Sequence, residues 1–202
     1  MSRGFSSDGE LAKLEAVYRP LAESVRRLID ATIRSEVDAA TLATAKEHID
    51  CATEGLGAAL MPGSFGVRQA GDGQGPAWGN VVIGLRNPVA PPLIVNSGAD
   101  GLVWSDFTLG APYEGPPGHV HGGVCAMILD HVLGATAHKP GRPAVTGTLS
   151  VRYLRATPLG PLHAEARVDR VEGVKTFAIG HLGDAEGITV KAEGVFIHPR
   201  QD

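Results

Sequence analysis

Asp130 is the only charged residue in the run Val124-Cys-Ala-Met-Ile-Leu-Asp-His-Val-Leu-Gly-Ala-Thr-Ala137. The run places Val124, Cys125, Met127, Ile128, Leu129, Val132, Leu133 and Ala135 on nearly every side of a helical wheel, the pattern of a buried helix. A carboxylate there is costly unless it is paired, hydrogen-bonded or protonated, and buried polar groups are the informative exceptions in a core. Immediately upstream stand His119-Val-His121 and the pair Gly122-Gly123. No Ser, Thr, Asp or Asn caps the helix start, so its first amides are expected to be free, an arrangement that suits an anion or an oxyanion. The glycines also read as turn residues that let loop and helix pack closely. His-x-His ligates metal on cupin strands, but the acidic and third histidine ligands are missing at that spacing and Gly-Gly argues against a strand. No metal is expected.

The elements that must position these groups follow from periodicity. A Pro/Gly loop, Gly115-Pro-Pro-Gly118, leads into the helix. After it come four strand candidates, Ala144–Leu154, Leu162–Val171, Val174–Leu182 and Ile188–Ile197, each alternating at period two and separated by turn residues such as Pro158, Gly160, Gly173 and Gly183. Leu102–Leu109 reads as a strand before the helix, and Val81–Leu85 and Leu93–Asn96 as short ones. The expectation is an α+β architecture, an antiparallel meander wrapping a central helix.

Upstream, Glu10–Glu36 reads as a helix that Pro20 kinks or restarts, and Val37–Leu60 as a second, the two forming a helical hairpin. Such a hairpin serves packing or oligomerisation, or forms a lid over a pocket. The boundaries expected are 1–61 for the helical extension, 62–80 for a Gly/Pro/Gln-rich linker and 81–202 for the main domain.

The His121-Gly122-Gly123 motif, with an acid two turns into an apolar helix, resembles the hotdog-fold thioesterases, in particular the phenylacetate-pathway (PaaI) type and thioesterase superfamily members. The similarity runs on through Val145-Thr-Gly-Thr-Leu-Ser-Val-Arg-Tyr-Leu-Arg155 and Pro158-Leu159 and spans roughly residues 90–198. It implies a hotdog fold and an acyl-CoA thioesterase that needs no cofactor. Asp130 would act as general base or as nucleophile, with the Gly122 and Gly123 amides as oxyanion hole. His121 becomes a site position that orients the loop. Thr146 falls where some members carry a catalytic Thr, although the apolar parity of Val145, Leu149, Val151 and Tyr153 puts it on the polar side; Gly147 would mark a bulge that re-aims it. Arg152 and Arg155 would meet the coenzyme A phosphates. Phenylacetate-type members carry an Asn six positions before the His; Gly115 stands there, so their substrate preference does not transfer.

The resemblance also implies a homodimer or dimer of dimers, with the strand after the helix pairing with its copy. Helix geometry sharpens this. Gly122 and Gly123 precede Asp130 by seven to eight residues, which is roughly 10–12 Å along one helix. A reacting carbonyl needs both within about 3 Å of its atoms, so each site is expected to combine the glycines of one subunit with the Asp130 of its partner.

Composition bounds the alternatives. The chain has 202 residues, 43% apolar content and a formal net charge of −4, which indicates a globular domain with no basic excess for nucleic acid. The longest apolar run is too short to span a bilayer, and Met1–Glu10 lacks a signal-peptide apolar region. Cys51 and Cys125 are expected to be free thiols in a reducing cytosol. The competing readings are a non-catalytic acyl-CoA-binding hotdog protein and a thioester dehydratase or hydratase; the loop pattern of the last is not found.

Overall fold

The computed structural model describes residues 8–66, 77–91, 93–138 and 141–199. Two compact units emerge, one within Met1–Asn80 and Gly84–Val89, the other within Val81–Ile83 and Ala90–Asp202.

In the first unit, α1 (Asp8–Arg34) runs continuously through Pro20 and does not restart there. A proline removes one backbone donor, but the turns on both sides are held by a half-buried stripe that includes Leu14, Tyr18 and Val25, with Ala22 buried. The Tyr18 ring lies 6.4 Å from that of Trp78, and the Arg86 guanidinium sits 3.6 Å over it. Arg26 donates to the Asn87 carbonyl at 3.2 Å. Helix α2 (Ala39–Gly57) starts at Asp38, whose Oδ1 accepts the Thr41 amide at 2.8 Å. The expected hairpin does not form: α2 does not pack on α1, and no residue of α2 is buried. Tyr18 of the half-buried α1 stripe is instead occupied by Trp78 and Arg86. Part of the expected linker, residues 67–76, lies outside the described residues. Val81–Leu85 is not a strand but a series of turns, in which the Gly84 amide bonds the Asn80 carbonyl at 3.0 Å. The chain doubles back so tightly there that a Cβ on Gly84 would lie 2.2 Å from that carbonyl oxygen. Of Leu93–Asn96, only Asn96 enters a strand, β1 (Asn96–Ser97).

The second unit continues with β2 (Val103–Leu109), a 3-10 turn at Ala111–Tyr113, α3 (Gly122–Ala137), β3 (Val145–Tyr153), β4 (Gly160–Glu172), β5 (Lys175–Asp184) and β6 (Gly187–Ile197). All strand pairs are antiparallel, in the order β1-β2-β4-β5-β6-β3. Only β4-β5-β6 is a meander; β3 lies beyond β6 at the edge, and β2 takes the place beside β4. The connection from β3 to β4 passes along the loop before α3, where the Val120 amide bonds Thr157 O at 2.8 Å and the Leu159 amide bonds Gly118 O at 3.0 Å. That detour carries the chain across the sheet instead of through a hairpin.

The sheet wraps α3. Ile128, Leu129, Val132 and Leu133 are fully buried in one core with Leu109, Ala164, Leu182, Val190 and Phe196. The helix is not buried all round, however: Val124, Met127, Asp130, His131 and Ala135 are half-exposed on the side the sheet leaves open. One sheet covers only one side of a helix, so the all-round apolar pattern exceeds what a single chain covers.

Candidate active site

The loop before α3 is built to hold His121. Gly118 has φ +74°, a left-handed conformation that favours glycine, and its amide donates to Glu114 Oε1 at 2.6 Å. A Cβ on Gly115 would lie 2.7 Å from His121 Cα. Position 115 is therefore closed to a side chain in this conformation. The His121 amide bonds the Tyr113 carbonyl at 2.9 Å.

His121 is the N-cap of α3, so the helix is not uncapped as its sequence suggests. The His121 Nδ1 accepts the Gly123 amide at 3.0 Å. An imidazole nitrogen can do this when it carries no proton. The carbonyl of the same peptide unit, Gly122 O, accepts a 2.7 Å hydrogen bond from the Tyr153 hydroxyl. The Gly122–Gly123 peptide is thus held at both ends, its C=O by Tyr153 and its N–H by His121. Of the two amides expected to be free, the Gly123 one is occupied, while the Gly122 amide has no hydrogen-bond partner among the described residues.

Asp130 lies on the half-exposed side of α3. Thr146 donates to its Oδ1 at 2.9 Å. The bond exists because the β3–β6 register shifts between Thr146 and Thr148. After the shift Leu149, Val151 and Tyr153 pair with Gly194, Ala192 and Val190. Before it Thr146 pairs with buried Phe196 and so joins the inner face. Gly147 is the extra residue. Asp130 perturbs its neighbour His131, whose imidazole is pushed below its usual range by burial, an effect Asp130 partly opposes.

Beside the helix start lies a cleft of about 250 Å³ lined among others by Gly122, Cys125, Tyr153, Arg155 and Thr157. Cys125 is buried, and burial raises its thiol above the ordinary range, so it lines the cleft as a neutral apolar group. Arg155 is held by a bidentate ion pair with Asp184, one arm 2.9 Å, and by the Gly187 carbonyl at 3.0 Å. Its guanidinium holds the Asp184 carboxyl below the usual carboxylate range. Arg152 is exposed, in register with Lys191 on the outer side of β3.

The structure therefore joins Asp130 to Thr146, and His121 to Gly123, but leaves these two groups apart within one chain, because Gly122, Gly123 and Asp130 lie at the start and in the middle of the single helix α3. Tyr153 and Cys125 also line the cleft, though neither carries a motif that marks it in the sequence as a site residue. Tyr153 was legible in its parity with Leu149 and Val151. Among the described residues no group of His, Cys, Asp and Glu side chains is arranged to hold a metal ion.

A family profile described as the thioesterase superfamily matches residues 117–186, the loop, α3 and β3 to β5. A crystal structure described as that of a thioesterase superfamily protein superposes with a TM-score of 0.77 at 34% identity, covering 89% of this chain and 94% of that one. The chain belongs to the thioesterase superfamily. This superfamily member shares the hotdog fold with the E. coli PaaI protein from the phenylacetic acid degradation operon, matched at TM-score 0.50 and 17% identity over 54% of this chain and 80% of that one, a likeness of fold alone. Human acyl-coenzyme A thioesterase THEM5 is 32% identical over 94 residues, 45% of this chain and 38% of that protein. The THEM4 thioesterase of Xenopus laevis is 38% identical over 72 residues, 35% of this chain and 32% of that protein. The superfamily chain thus spans well under half the length of these curated relatives. Among its described residues no helix is long and apolar enough to cross a membrane.

Proposed function

We propose that this protein hydrolyses acyl-CoA thioesters to the free acid and coenzyme A. The observation that carries the reading is Asp130, a half-exposed carboxylate in the middle of α3, fixed by Thr146 Oγ1 at 2.9 Å. The names of THEM5 and THEM4 supply the substrate class.

In the reaction, oxygen from water ends on the acyl carbon. Asp130 takes the proton of that water, or attacks the carbonyl itself to give an anhydride that water then opens. The C–S bond breaks, and the coenzyme A thiolate leaves and takes up a proton. The carbonyl oxygen, negative in the tetrahedral intermediate, is met by the Gly122 amide, and by the Gly123 amide once His121 Nδ1 turns away. Thr146 orients the carboxylate. Arg152, exposed near the end of β3, meets a coenzyme A phosphate directly; Arg155, committed to Asp184, shapes the cleft mouth and offers its remaining N–H groups.

The separation of Asp130 from the helix start supports a two-chain site in a homodimer, or a dimer of dimers, in which one subunit supplies His121, Gly122 and Gly123 and its partner supplies Asp130 and Thr146. The half-exposed side of α3 and the exposed edge strand β3 are the surfaces such a partner covers. Cys51 and Cys125 are both free, in keeping with a cytoplasmic protein.

A panel of acyl-CoA substrates with a thiol-trapping dye tests the activity. Release of coenzyme A from at least one acyl class is expected; no release across short, long and aryl acyl groups would overturn it. One observation favours a second reading, a non-catalytic acyl-CoA binder: the Gly123 amide is occupied by His121. Tight acyl-CoA binding without thiol release identifies that alternative.

A further inference from the structure

Among the described residues, helix α2 has no covering partner. None of its residues is buried and it does not rest on α1. Leu42, Ile49 and Leu56 are 52%, 37% and 55% exposed. Its alanines, the Asp38 cap and the Lys46–Asp50 pair favour the helix locally, but Gly55 and Gly57 weaken its last turns and its apolar stripe stands in solvent. Most helical stability in proteins comes from packing an apolar face, so α2 needs a cover.

The spacing of its apolar residues states what kind. Leu42, Ala45, Ile49, Ala52 and Leu56 recur at alternating intervals of three and four, the a/d seam of a two-helix coiled coil. Every a position is large and every d position is alanine. In a parallel pair, layers of Leu or Ile against themselves would alternate with layers of Ala against Ala, and close packing would fail at every second layer. In an antiparallel pair, a meets d of the partner. Ala45 then faces the partner's Leu56 and Ile49 faces the partner's Ala52, the same two contacts recur beyond the two-fold axis, and Leu42 meets Ala59 just past the helix end. Each layer sets one large side chain against one small one, which lets layers interdigitate. The seam is self-complementary about an axis between Asp50 and Cys51, as an isologous contact requires. The neighbouring antiparallel register would instead press Leu56 against the charged N-cap Asp38.

The helix dipoles agree with this direction, since antiparallel pairing sets the negative end of each helix beside the positive end of its partner, whereas parallel pairing would align like ends. The charged side chains Lys46, Glu47, Asp50 and Glu54 stand outside the seam, and Lys46 is paired with Asp50 of its own helix. We infer that α2 is a second association surface of this protein, pairing antiparallel with the α2 of another copy through the Leu42, Ala45, Ile49, Ala52 and Leu56 seam.

The test uses the full chain carrying Cys51→Ser, to remove the exposed native thiol of α2. One preparation adds Ala45→Cys, another adds Leu56→Cys, and the two are oxidised mildly, separately and as a mixture. Antiparallel pairing brings position 45 of one chain against position 56 of its partner, so the disulfide-linked dimer is expected in the mixture and not in either preparation alone. Like positions would then be about 16 Å apart along the axis, from eleven residues at about 1.5 Å each, beyond disulfide reach. Adding Ile49→Asp to both chains is expected to cut linking at least tenfold. Linking in each preparation alone overturns the antiparallel arrangement. Absence of linking in the mixture, or linking that Ile49→Asp leaves unchanged, overturns the association itself. Thiol release from acyl-CoA is measured in parallel, so a failure of the proposed hydrolysis is recognised separately.

Discussion

Replacing Asp130 by Asn keeps the size of the side chain and an oxygen for Thr146 to bond, while removing the charge that takes a proton or attacks. Turnover is expected to fall by about 10²–10⁴ with the melting temperature little changed, as a coupled thiol assay and calorimetry would read. Thr146→Val removes one hydrogen bond to that carboxylate, worth about 1.5–3 kcal/mol for a charged acceptor, so a loss of roughly tenfold or more in kcat is expected, with Thr146→Ser retaining most activity. Tyr153→Phe keeps the ring against Gly122 but releases the Gly122 carbonyl that Tyr153 holds at 2.7 Å. If the Gly122–Gly123 peptide presents the oxyanion donors, kcat falls while KM for the acyl-CoA stays near wild type; an unchanged kcat would assign Tyr153 to packing alone. His131 adds a pH effect. Its folded-state pKa is lowered by burial from an ordinary 6.5, so the unfolded chain binds the proton more readily and stability rises with pH. The contribution is complete above the ordinary value and is lost as pH falls below it. The melting temperature should drop on acidification from about pH 7 to about pH 5, less steeply in His131→Gln.

Strand β3 brings Thr146 to Asp130 because of its bulge. Its residues after Gly147 keep odd positions inward, and the extra residue brings the even-numbered Thr146 onto the same inner face. Gly147 also lies close to its neighbour strand, since a Cβ there would be 2.9 Å from Ile197 Cγ1 and 3.3 Å from Val195 O. Gly147→Val favours a regular strand in which the new side chain points inward and Thr146 outward. Activity is expected to fall as far as in Thr146→Val, with a lower melting temperature; full activity in the variant would detach the bulge from the site. Helix α3 has the complementary property, carrying the amide end and the carboxylate on one rigid element that holds them apart.

For the whole molecule, the proposed two-chain site would make assembly part of function. Mixing Asp130→Asn chains with Gly122→Val chains, whose new side chain crowds the Tyr153 hydroxyl at the helix start, should restore about one working site per heterodimer if sites are shared between subunits. A mixture that stays inactive although heterodimers form, verified by mass spectrometry of differently tagged chains, would place each site within one subunit. Sedimentation at micromolar concentration should find no monomer.

The apolar periodicity of α3, the alternation of the four long strands and the turn residues between them were readable from the chain, because each depends on neighbours within a few positions. The isolation of Asp130 in its apolar run was readable for the same reason. Strand order was not: β3 lies beside β6 because the Leu154–Leu159 connection binds the loop before α3, a contact between residues far apart in sequence. Nor was the His121 cap, since imidazole is an unusual N-cap and its Nδ1 reaches the Gly123 amide only in the backbone conformation set by the Gly115 to Gly118 loop. Pro20 was expected to interrupt α1 from its missing donor, yet side-chain packing on both sides outweighs one lost bond. Local patterning thus carries the candidates for the chemistry, the long helices and strands and, through the parity of Thr146, the bulge at Gly147; which segments meet is settled by the fold, because pairing across the sheet and the side of α3 that it covers arise from contacts between residues far apart in the chain.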